Sequence, residues 1–162
     1  MRSFVALDIP EGLITKLKYI QDALRGHGQF SFPKSFHLTL SYLGEIEDAE
    51  RIIEGLSQIR FDPFKFKLDK VGMFGKRVIW IGIKPEQDVV ELAKQVRKAA
   101  PPKDSKFHPH ITLARIKWLK DQDWKVTIPE DEVLVEAFKL YKSTLTPEGA
   151  VYEVLGSFTH GK

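Results

Sequence analysis

The sequence contains no cysteine in its 162 residues. This absence excludes disulfide bonds, thiolate metal sites and cysteine nucleophiles, and it fits a reducing compartment. Long apolar runs are absent too. None is long enough to span a membrane, and the apolar stretch after Met1 is too short for a signal peptide. We therefore expect a cytoplasmic protein without a membrane segment.

The sequence also lacks a strong excess of charge of one sign. It has 25 lysines and arginines against 22 aspartates and glutamates, a formal net charge of +3. A protein that coats nucleic acid would be more basic, whereas this balance permits an anionic ligand without requiring one. With 43% hydrophobic and 29% charged residues the chain is typical of a globular protein, and we expect residues 1–162 to form one domain.

Two short segments of the sequence nearly repeat each other. The first is His37-Leu38-Thr39-Leu40 and the second is His110-Ile111-Thr112-Leu113. Each lies in a run typical of a β-strand, in which successive side chains point to opposite faces of the sheet. Histidine and threonine would therefore share one face, while the apolar residues point into a core. One copy is common by chance, but two copies predict two half-domains that bring their histidines to one cleft.

Hydrophobic periodicity and turn residues divide the rest of the chain into short elements. Helical spacing predicts helices at about residues 11–25, 47–59 and 86–100. Strands are predicted at about 2–8, 35–43, 64–74, 78–83, 109–116, 133–145 and 151–158. Loops are predicted around Pro33, at about 103–108 and at about 117–130, the last with a short helical turn. This order predicts an α+β fold with two mostly antiparallel sheets facing a central cleft and helices outside.

The paired histidines suit acid–base catalysis, because histidine exchanges its proton near neutral pH. One neutral imidazole would deprotonate water, while the other, protonated, gives a proton to the leaving oxygen of a phosphodiester. Threonine hydroxyls suit the non-bridging phosphate oxygens, whereas a carboxylate would repel this substrate, and neither motif contains one. The structural alternative is that each histidine is half-buried in its strand and hydrogen-bonded to its threonine.

The remaining histidines raise a second alternative. His37, His108 and His110 together would provide three ligands for a zinc ion. The motifs contain no acidic residue to orient such ligands, so we favour acid–base catalysis and expect no metal. His108 is then expected in a loop near the mouth of the cleft, and His27 and His160 are expected in solvent.

Four further residues are candidates for substrate binding. Arg115 lies five positions after His110, so strict alternation places it on the opposite face of the strand. A bulge or twist at the strand end would redirect its guanidinium toward a phosphate. Phe4, Tyr42 and Trp80 have rings that can stack on a base, although strand aromatics more often belong to the core. Of these three we take Phe4 as the candidate.

The two motifs with their flanking residues resemble the signature of the two-histidine (2H) phosphoesterase superfamily. Within it, the sequence is similar to the RNA 2′,3′-cyclic phosphodiesterases, also called 2′-5′ RNA ligases. Neither four-residue motif is specific alone, but the pair with its flanks is. The resemblance covers essentially the whole chain, and outside the motifs it is carried by residues 2–10, Tyr42-Leu43-Gly44, residues 107–115, residues 141–145 and Tyr152.

The resemblance implies a bilobal fold with pseudo-twofold symmetry and a central groove lined by both motifs. It implies metal-independent opening of a 2′,3′-cyclic phosphate, at an RNA end or in a small cyclic nucleotide, to a 2′-phosphomonoester. No cofactor is implied, and we expect a monomer. The family's roles make His37 the proton donor and His110 the proton acceptor. They place Thr39, Thr112 and Arg115 on the phosphate, and the same groups would serve the reverse reaction, 2′-5′ ligation.

From the residues alone, either histidine could be the acid. A hypothesis of another class is a non-catalytic RNA-binding module, in which the histidines only contact phosphate. The two hypotheses differ in one measurement. In the enzyme, alanine at His37 or His110 abolishes turnover of a cyclic-phosphate end and leaves RNA affinity intact, whereas the module has no turnover to lose.

Overall fold

The computed structural model describes residues 1–103 and 106–160, and these form three helices and nine strands. The helices are α1 (Glu11–Leu24), α2 (Ala49–Ser57) and α3 (Gln87–Ala99). The strands are β1 (Arg2–Asp8), β2 (Gly28–Ser31), β3 (His37–Glu45), β4 (Phe64–Phe74), β5 (Val78–Lys84), β6 (Ile111–Leu119), β7 (Glu132–Val135), β8 (Ala137–Thr146) and β9 (Gly149–Thr159). Within the described residues, no helix combines the length and apolar character that crossing a membrane requires.

The strands form one curled sheet in the order β7-β4-β5-β6-β3-β1-β8-β9, and β2 pairs with β6. The pairings within it are antiparallel. The two sheets predicted from the sequence are therefore two halves of a single sheet. These halves meet where β3 and β6 pair through Leu38 and Ile111, a junction that we call the seam. The predicted α+β class and its mostly antiparallel pairing are confirmed.

The two halves share the same local order. In each half an outer strand is followed by a helix and, further along the chain, by the motif strand: β1, α1 and β3 in the first half, where the short β2 intervenes before β3, and β5, α3 and β6 in the second. The outer strand pairs with its motif strand in both halves. Leu38 and Ile111 each follow a motif histidine directly, so the seam joins equivalent positions of the two halves.

Two of the helices, α1 and α3, pack across the seam, each on the motif strand of the other half. α1 contacts β6 and α3 contacts β3. Apolar residues at helical spacing form the buried face of each helix, as their periodicity predicts. These residues are Leu13, Leu17, Ile20 and Leu24 in α1, and Val89, Leu92, Ala93 and Val96 in α3.

Two buried polar side chains fix this arrangement. Gln21 of α1 donates through Nε2 to the carbonyl of Leu113 in β6 at 2.9 Å, and to the carbonyl of Pro33 at 3.2 Å. Ser41 of β3 donates through Oγ to the carbonyl of Ala100, directly after α3, at 2.8 Å. Each bond satisfies a polar group that would otherwise be buried without a partner.

Both motif strands contain a β-bulge three residues after the motif histidine. In β3 the extra residue is Leu40, and in β6 it is Leu113, as the breaks in pairing with β1 and β5 show. Each bulged residue is buried together with the residue that follows it. A bulge adds one residue and so shifts the alternation of faces beyond it. As a result, Tyr42 and Arg115, five residues after the histidines, turn to the motif face.

Several predicted element boundaries are wrong. The loop predicted around Pro33 begins with β2, and β6 continues to Leu119, into the loop predicted at about 117–130. The described residues of that loop contain no helical turn. The strand predicted at about 133–145 is two strands, since β7 pairs with β4 whereas β8 pairs with β1. Part of the loop predicted at about 103–108 lies outside the described residues.

Candidate active site

The seam brings the two motifs side by side. The residues that follow the motif histidines are paired there in antiparallel register. One residue to either side, the same register sets His37 opposite Thr112 and Thr39 opposite His110. Directly opposed residues have Cβ atoms about 5 Å apart, and diagonal neighbours, such as the two histidines, lie about 7–8 Å apart. Each imidazole therefore has a hydroxyl of the other half across from it.

A cleft of about 830 Å³ opens on this face of the sheet, a volume in the range of ligand-binding clefts. Five of the residues predicted from the sequence line it: His37, Thr39, Thr112, Arg115 and Phe4. The rest of its lining comes from the start of β1, the residues before β3, and the β8–β9 hairpin: Arg2, residues 31–35, Tyr42, Ser143, Leu145, residues 148–150 and Tyr152.

His110, the sixth predicted residue, lies next to this lining in a group of aromatic rings. Its ring centroid is 4.9 Å from that of Phe74, 6.3 Å from that of Trp80 and 6.0 Å from that of His108. Its Nδ1 is 2.6 Å from the carbonyl oxygen of His108. Because a carbonyl oxygen only accepts, Nδ1 carries the proton, and Nε2 of the neutral ring is left with a free lone pair.

His37 is also surrounded by rings. The centroids of Phe4, Tyr141 and Tyr152 lie 5.5, 4.9 and 5.2 Å from the centroid of its imidazole, all edge-to-face. Phe4 is only 8% exposed and stacks on Tyr141 at 5.3 Å. Little of the Phe4 ring is therefore left to stack on a base, and its main contact at the site is with His37.

Asp8 is the charged neighbour of His37. It ends β1 and is paired with His37 in the β1–β3 register. Its carboxylate accepts hydrogen bonds from the Tyr141 hydroxyl and from Lys139 Nζ, the latter at 2.6 Å. Burial disfavours the ionised carboxyl, but these two hydrogen bonds outweigh burial and lower the pKa of Asp8. Asp8 is therefore a fixed negative charge beside the imidazole at neutral pH.

Burial lowers the pKa of both imidazoles, because it disfavours the charged ring. At His37 the charge of Asp8 opposes this effect, and Lys139 reinforces it. At His110 the hydrogen bond to the His108 carbonyl opposes it. The two histidines therefore differ in environment: a carboxylate lies beside His37, and a backbone carbonyl holds His110.

Arg115 and Tyr42 line the cleft, and each lies five residues after the histidine of its motif. The prediction from strict alternation that Arg115 faces away from the motif is wrong, because the bulge at Leu113 turns it into the cleft. Tyr42 stands at the same offset from His37, and its hydroxyl is 2.9 Å from Arg2 Nη2, which donates to it. Tyr42 follows His37 by five residues, as Arg115 follows His110. This equal spacing could have indicated from the sequence that Tyr42 lines the cleft, but the sequence analysis did not use it.

The charged side chains that line the cleft are mostly cations. Arg2, Lys34 and Arg115 line it, and among the described lining residues Glu148 is the one carboxylate. Lys34 Nζ donates to the backbone carbonyl of Glu148 at 2.8 Å, and so links the residues before β3 to the β8–β9 turn. This balance of charge favours an anionic ligand.

Of the other histidines, His27 and His160 are less exposed than predicted, whereas His108 is exposed in a loop beside His110, as predicted. His27 is partly buried, with Nδ1 2.6 Å from Asp121 Oδ1, and His160 packs near Phe61. His108 packs on Trp80, with ring centroids 4.7 Å apart. Within residues 1–103 and 106–160 no three His, Cys, Asp or Glu side chains are placed to hold a metal ion, so the three-histidine group considered above does not form.

Sequence comparison identifies the relatives of this chain. The profile of the 2′-5′ RNA ligase superfamily matches residues 10–145. A protein from Archaeoglobus fulgidus named RNA 2′,3′-cyclic phosphodiesterase is 34% identical over 175 aligned residues, covering 98% of this chain and 99% of that protein. A protein of the same name from Thermotoga maritima is also 34% identical, with 96% and 93% covered.

Solved structures agree with the sequence comparison. The protein TT0787 of Thermus thermophilus has a TM-score of 0.80 at 30% identity, and the match covers 100% of both chains. Escherichia coli LigT in its apo form has a TM-score of 0.81 at 28% identity, covering 99% of this chain and 98% of LigT. With the motif pair, the shared fold and the profile match, the chain belongs to the 2′-5′ RNA ligase superfamily.

Proposed function

We propose that the protein hydrolyses a terminal 2′,3′-cyclic phosphate of RNA to a 2′-phosphomonoester by metal-independent acid–base catalysis with His37 and His110. The observation that carries this proposal is the seam, where two imidazoles and two threonines adjoin a cleft lined by cations. The relatives named RNA 2′,3′-cyclic phosphodiesterase support it, as does the LigT structure in complex with 3′-AMP.

In this proposal His110 is the general base. Its Nδ1 proton is held by the His108 carbonyl, so the Nε2 lone pair is available to accept a proton from water. Burial and the positive charge of Arg115 both lower the pKa of His110, which favours the neutral form that a base requires.

His37 is the general acid. The negative charge of Asp8 opposes the effect of burial and favours the imidazolium form that an acid requires.

The proposed reaction is a single displacement at phosphorus. As the water oxygen bonds to phosphorus, its proton passes to Nε2 of His110. The bond from phosphorus to the 3′-oxygen breaks, and His37 gives its proton to that oxygen. The phosphate remains on the 2′-oxygen, and exchange with solvent returns both histidines to their starting forms. With the 5′-hydroxyl of a second strand in place of water, the same transfers in the same direction break the bond to the 3′-oxygen and form a 2′-5′ linkage. Ligation is therefore a forward reaction of the cyclic phosphate and not the reverse of its hydrolysis.

Three side chains are placed to stabilise the charge that develops on the phosphoryl oxygens. The hydroxyls of Thr39 and Thr112 lie on the motif face beside the histidines, and Arg115 reaches the same cleft. Preorganised donors of this kind stabilise the transition state most when little water competes with them. In the proposal Phe4 acts through its contact with His37.

Product analysis with histidine variants tests the proposal. A defined oligoribonucleotide with a 2′,3′-cyclic phosphate end should yield a product that carries its phosphate on the 2′-oxygen. His37→Ala and His110→Ala should each lower the hydrolysis rate by about 10²- to 10⁴-fold while RNA affinity is kept. His160→Ala, outside the cleft, is the control and should keep full activity. A product with a 3′-phosphate contradicts the proposal.

The second candidate is the non-catalytic RNA-binding module, favoured by the same cationic cleft. Binding of the oligonucleotide by the unchanged protein without any hydrolysis would support that candidate. Loss of activity with a chelator would instead support a metal-dependent hydrolase.

The proposal includes a monomer acting in the cytoplasm. The two proposed catalytic histidines and the three proposed phosphate ligands all belong to one chain, so the proposed reaction uses no residue of a second copy. The proposed RNA substrate supports a cytoplasmic location. A molecular mass near 18.6 kDa in solution is expected by light scattering.

A further inference from the structure

An exposed tryptophan stands at the far end of the motif strand β6. Trp118 is 57% exposed, an unusual state for a ring of this size in a regular strand. It lines a notch of about 470 Å³ formed by residues 116–122 and the β4–β5 turn. Three lysines line the same notch: Lys76, Lys117 and Lys120.

The backbone that carries Trp118 is held firmly in place. The amide groups of Lys120 and Asp121 donate to the carbonyl of His27 at 2.8 and 3.3 Å. β2 also approaches very closely, since a Cβ at Gly28 would lie 2.3 Å from the Trp118 carbonyl oxygen. Asp121 is the carboxylate in the notch, and its Oδ1 already contacts the His27 ring at 2.6 Å. The ring is therefore presented on a rigid surface with a net positive charge.

Trp118 lies on the same face of the sheet as the catalytic cleft. In the β2–β6 pairing Ser31 is the partner of Arg115, and Gln29 is the partner of Trp118. Ser31 and Arg115 line the cleft. Gln29 and Ser31 are two residues apart in β2, and both are exposed on one side of it. Trp118 is thus about 7 Å further along the strand from the cleft lining.

We propose that Trp118 with Lys76, Lys117 and Lys120 binds the single-stranded RNA that leads to the end held in the cleft. A base stacks on the indole, and the lysines contact neighbouring phosphates. Proteins that hold single-stranded nucleic acid without reading its sequence combine these two features, an aromatic platform and a cationic track. The inference rests on the proposed function, and it extends the substrate from a cyclic nucleotide to a longer RNA strand.

Comparing a short substrate with a long one tests this inference. The short substrate is a 2′,3′-cyclic mononucleotide, and the long one is an oligoribonucleotide of about eight nucleotides with the same cyclic end. Trp118→Ala should raise KM for the long substrate about 10-fold and leave the kinetics of the short one unchanged. Trp118→Phe, which keeps a ring, should restore most of the affinity. Tyr19→Ala removes another exposed ring, 71% exposed on α1, and should change neither substrate.

Direct binding gives a readout that does not depend on turnover. The affinity of a fluorescent oligonucleotide, measured by anisotropy, should fall about 10-fold in Trp118→Ala. Its dependence on salt should weaken in the double variant Lys117→Ala/Lys120→Ala, by about 1.4 in the slope of log K against log salt.

The outcomes separate this inference from the proposed function. If the unchanged protein hydrolyses neither substrate, the proposed function fails, and the anisotropy measurement still decides the role of Trp118. If both substrates are hydrolysed and Trp118→Ala binds the oligonucleotide as well as the unchanged protein, the inference is overturned. Equal RNA affinity would also be the result if this surface binds a protein instead.

Discussion

The difference between the two histidines comes from single neighbouring residues. Asp8 is paired with His37 in the β1–β3 register, whereas the ring of His110 is hydrogen-bonded to the carbonyl of His108. If His37 is the acid, the rate falls as pH rises through the pKa of His37, because the proton to be donated is lost. If His110 is the base, the rate falls as pH drops through the pKa of His110. Burial lowers both pKa values, so both sides of the profile should lie at lower pH than two unperturbed histidines would give.

Asp8→Asn tests the role of the carboxylate. Removing its negative charge removes the effect that raises the pKa of His37, so that pKa falls further. The alkaline side of the pH profile of kcat/KM should move to lower pH, and the acidic side should stay. Asp131→Asn is a matched control, since Asp131 also pairs with a lysine, Lys16 at 2.7 Å. An unshifted alkaline side would contradict the assignment of His37 as the acid.

At this scale the sequence indicated the residues of the repeated motif most directly and missed a charged neighbour that lies outside both motifs. His37, Thr39, His110 and Thr112 were found because two copies of one pattern are rarely accidental. Asp8 was missed because its role depends on which strand pairs with β3, and periodicity does not determine strand pairing.

The β-bulges decide which residues beyond the motifs reach the cleft. Without the extra residue Leu113, alternation would point Arg115 away from the phosphate. The carbonyl of Leu113 accepts the hydrogen bond from Gln21 of α1, so a helix of the first half supports the bulge of the second. Gln21 is thus a positioning residue for Arg115.

Gln21→Met tests this support. It keeps the length of the side chain and removes the donor, which leaves the Leu113 carbonyl buried without its partner. The free energy of unfolding should fall by about 1–3 kcal/mol. KM should rise and the pH profile should keep its shape, because Arg115 is displaced while both histidines stay. Gln58→Met, at an exposed position, is the control and should change stability little. Unchanged stability and KM in Gln21→Met would contradict this role.

The elements missed from the sequence have a common physical reason. β2 has four residues, and its partner in β6 lies far away along the chain, so no local pattern indicates it. The break at Glu136 between β7 and β8 occurs because the chain changes partners, from β4 to β1. Helices were predicted well because their hydrophobic period is local.

α1 and α3 each pack on the motif strand of the other half, so the two halves depend on each other for burial of their apolar residues. α1 packs on β6 and α3 packs on β3, so the main helix contact of each motif strand comes from the other half. The pseudo-twofold order therefore does not produce two independent folding units, and we expect residues 1–162 to unfold in one step.

Two spectroscopic probes can test this cooperativity. All three tryptophans belong to the second half of the fold, Trp80 in β5, Trp118 in β6 and Trp124 in the segment after β6, so their fluorescence reports on that half. Far-UV circular dichroism reports on helices of both halves. In urea the two probes should give the same midpoint, as a two-state transition requires. Separate midpoints would mean that the halves unfold independently.

The link between Lys34 and Glu148 affects how a ligand can enter. The ammonium group is bonded to a neutral backbone carbonyl, and both side chains line the cleft. A phosphate is a stronger partner for an ammonium than a carbonyl, because both groups are then charged. The phosphate of an incoming polyanion can therefore replace the Glu148 carbonyl as the hydrogen-bond acceptor of Lys34. A neutral molecule of the same shape cannot. The cleft would thus select anionic ligands over neutral ones at the binding step, before the reaction begins.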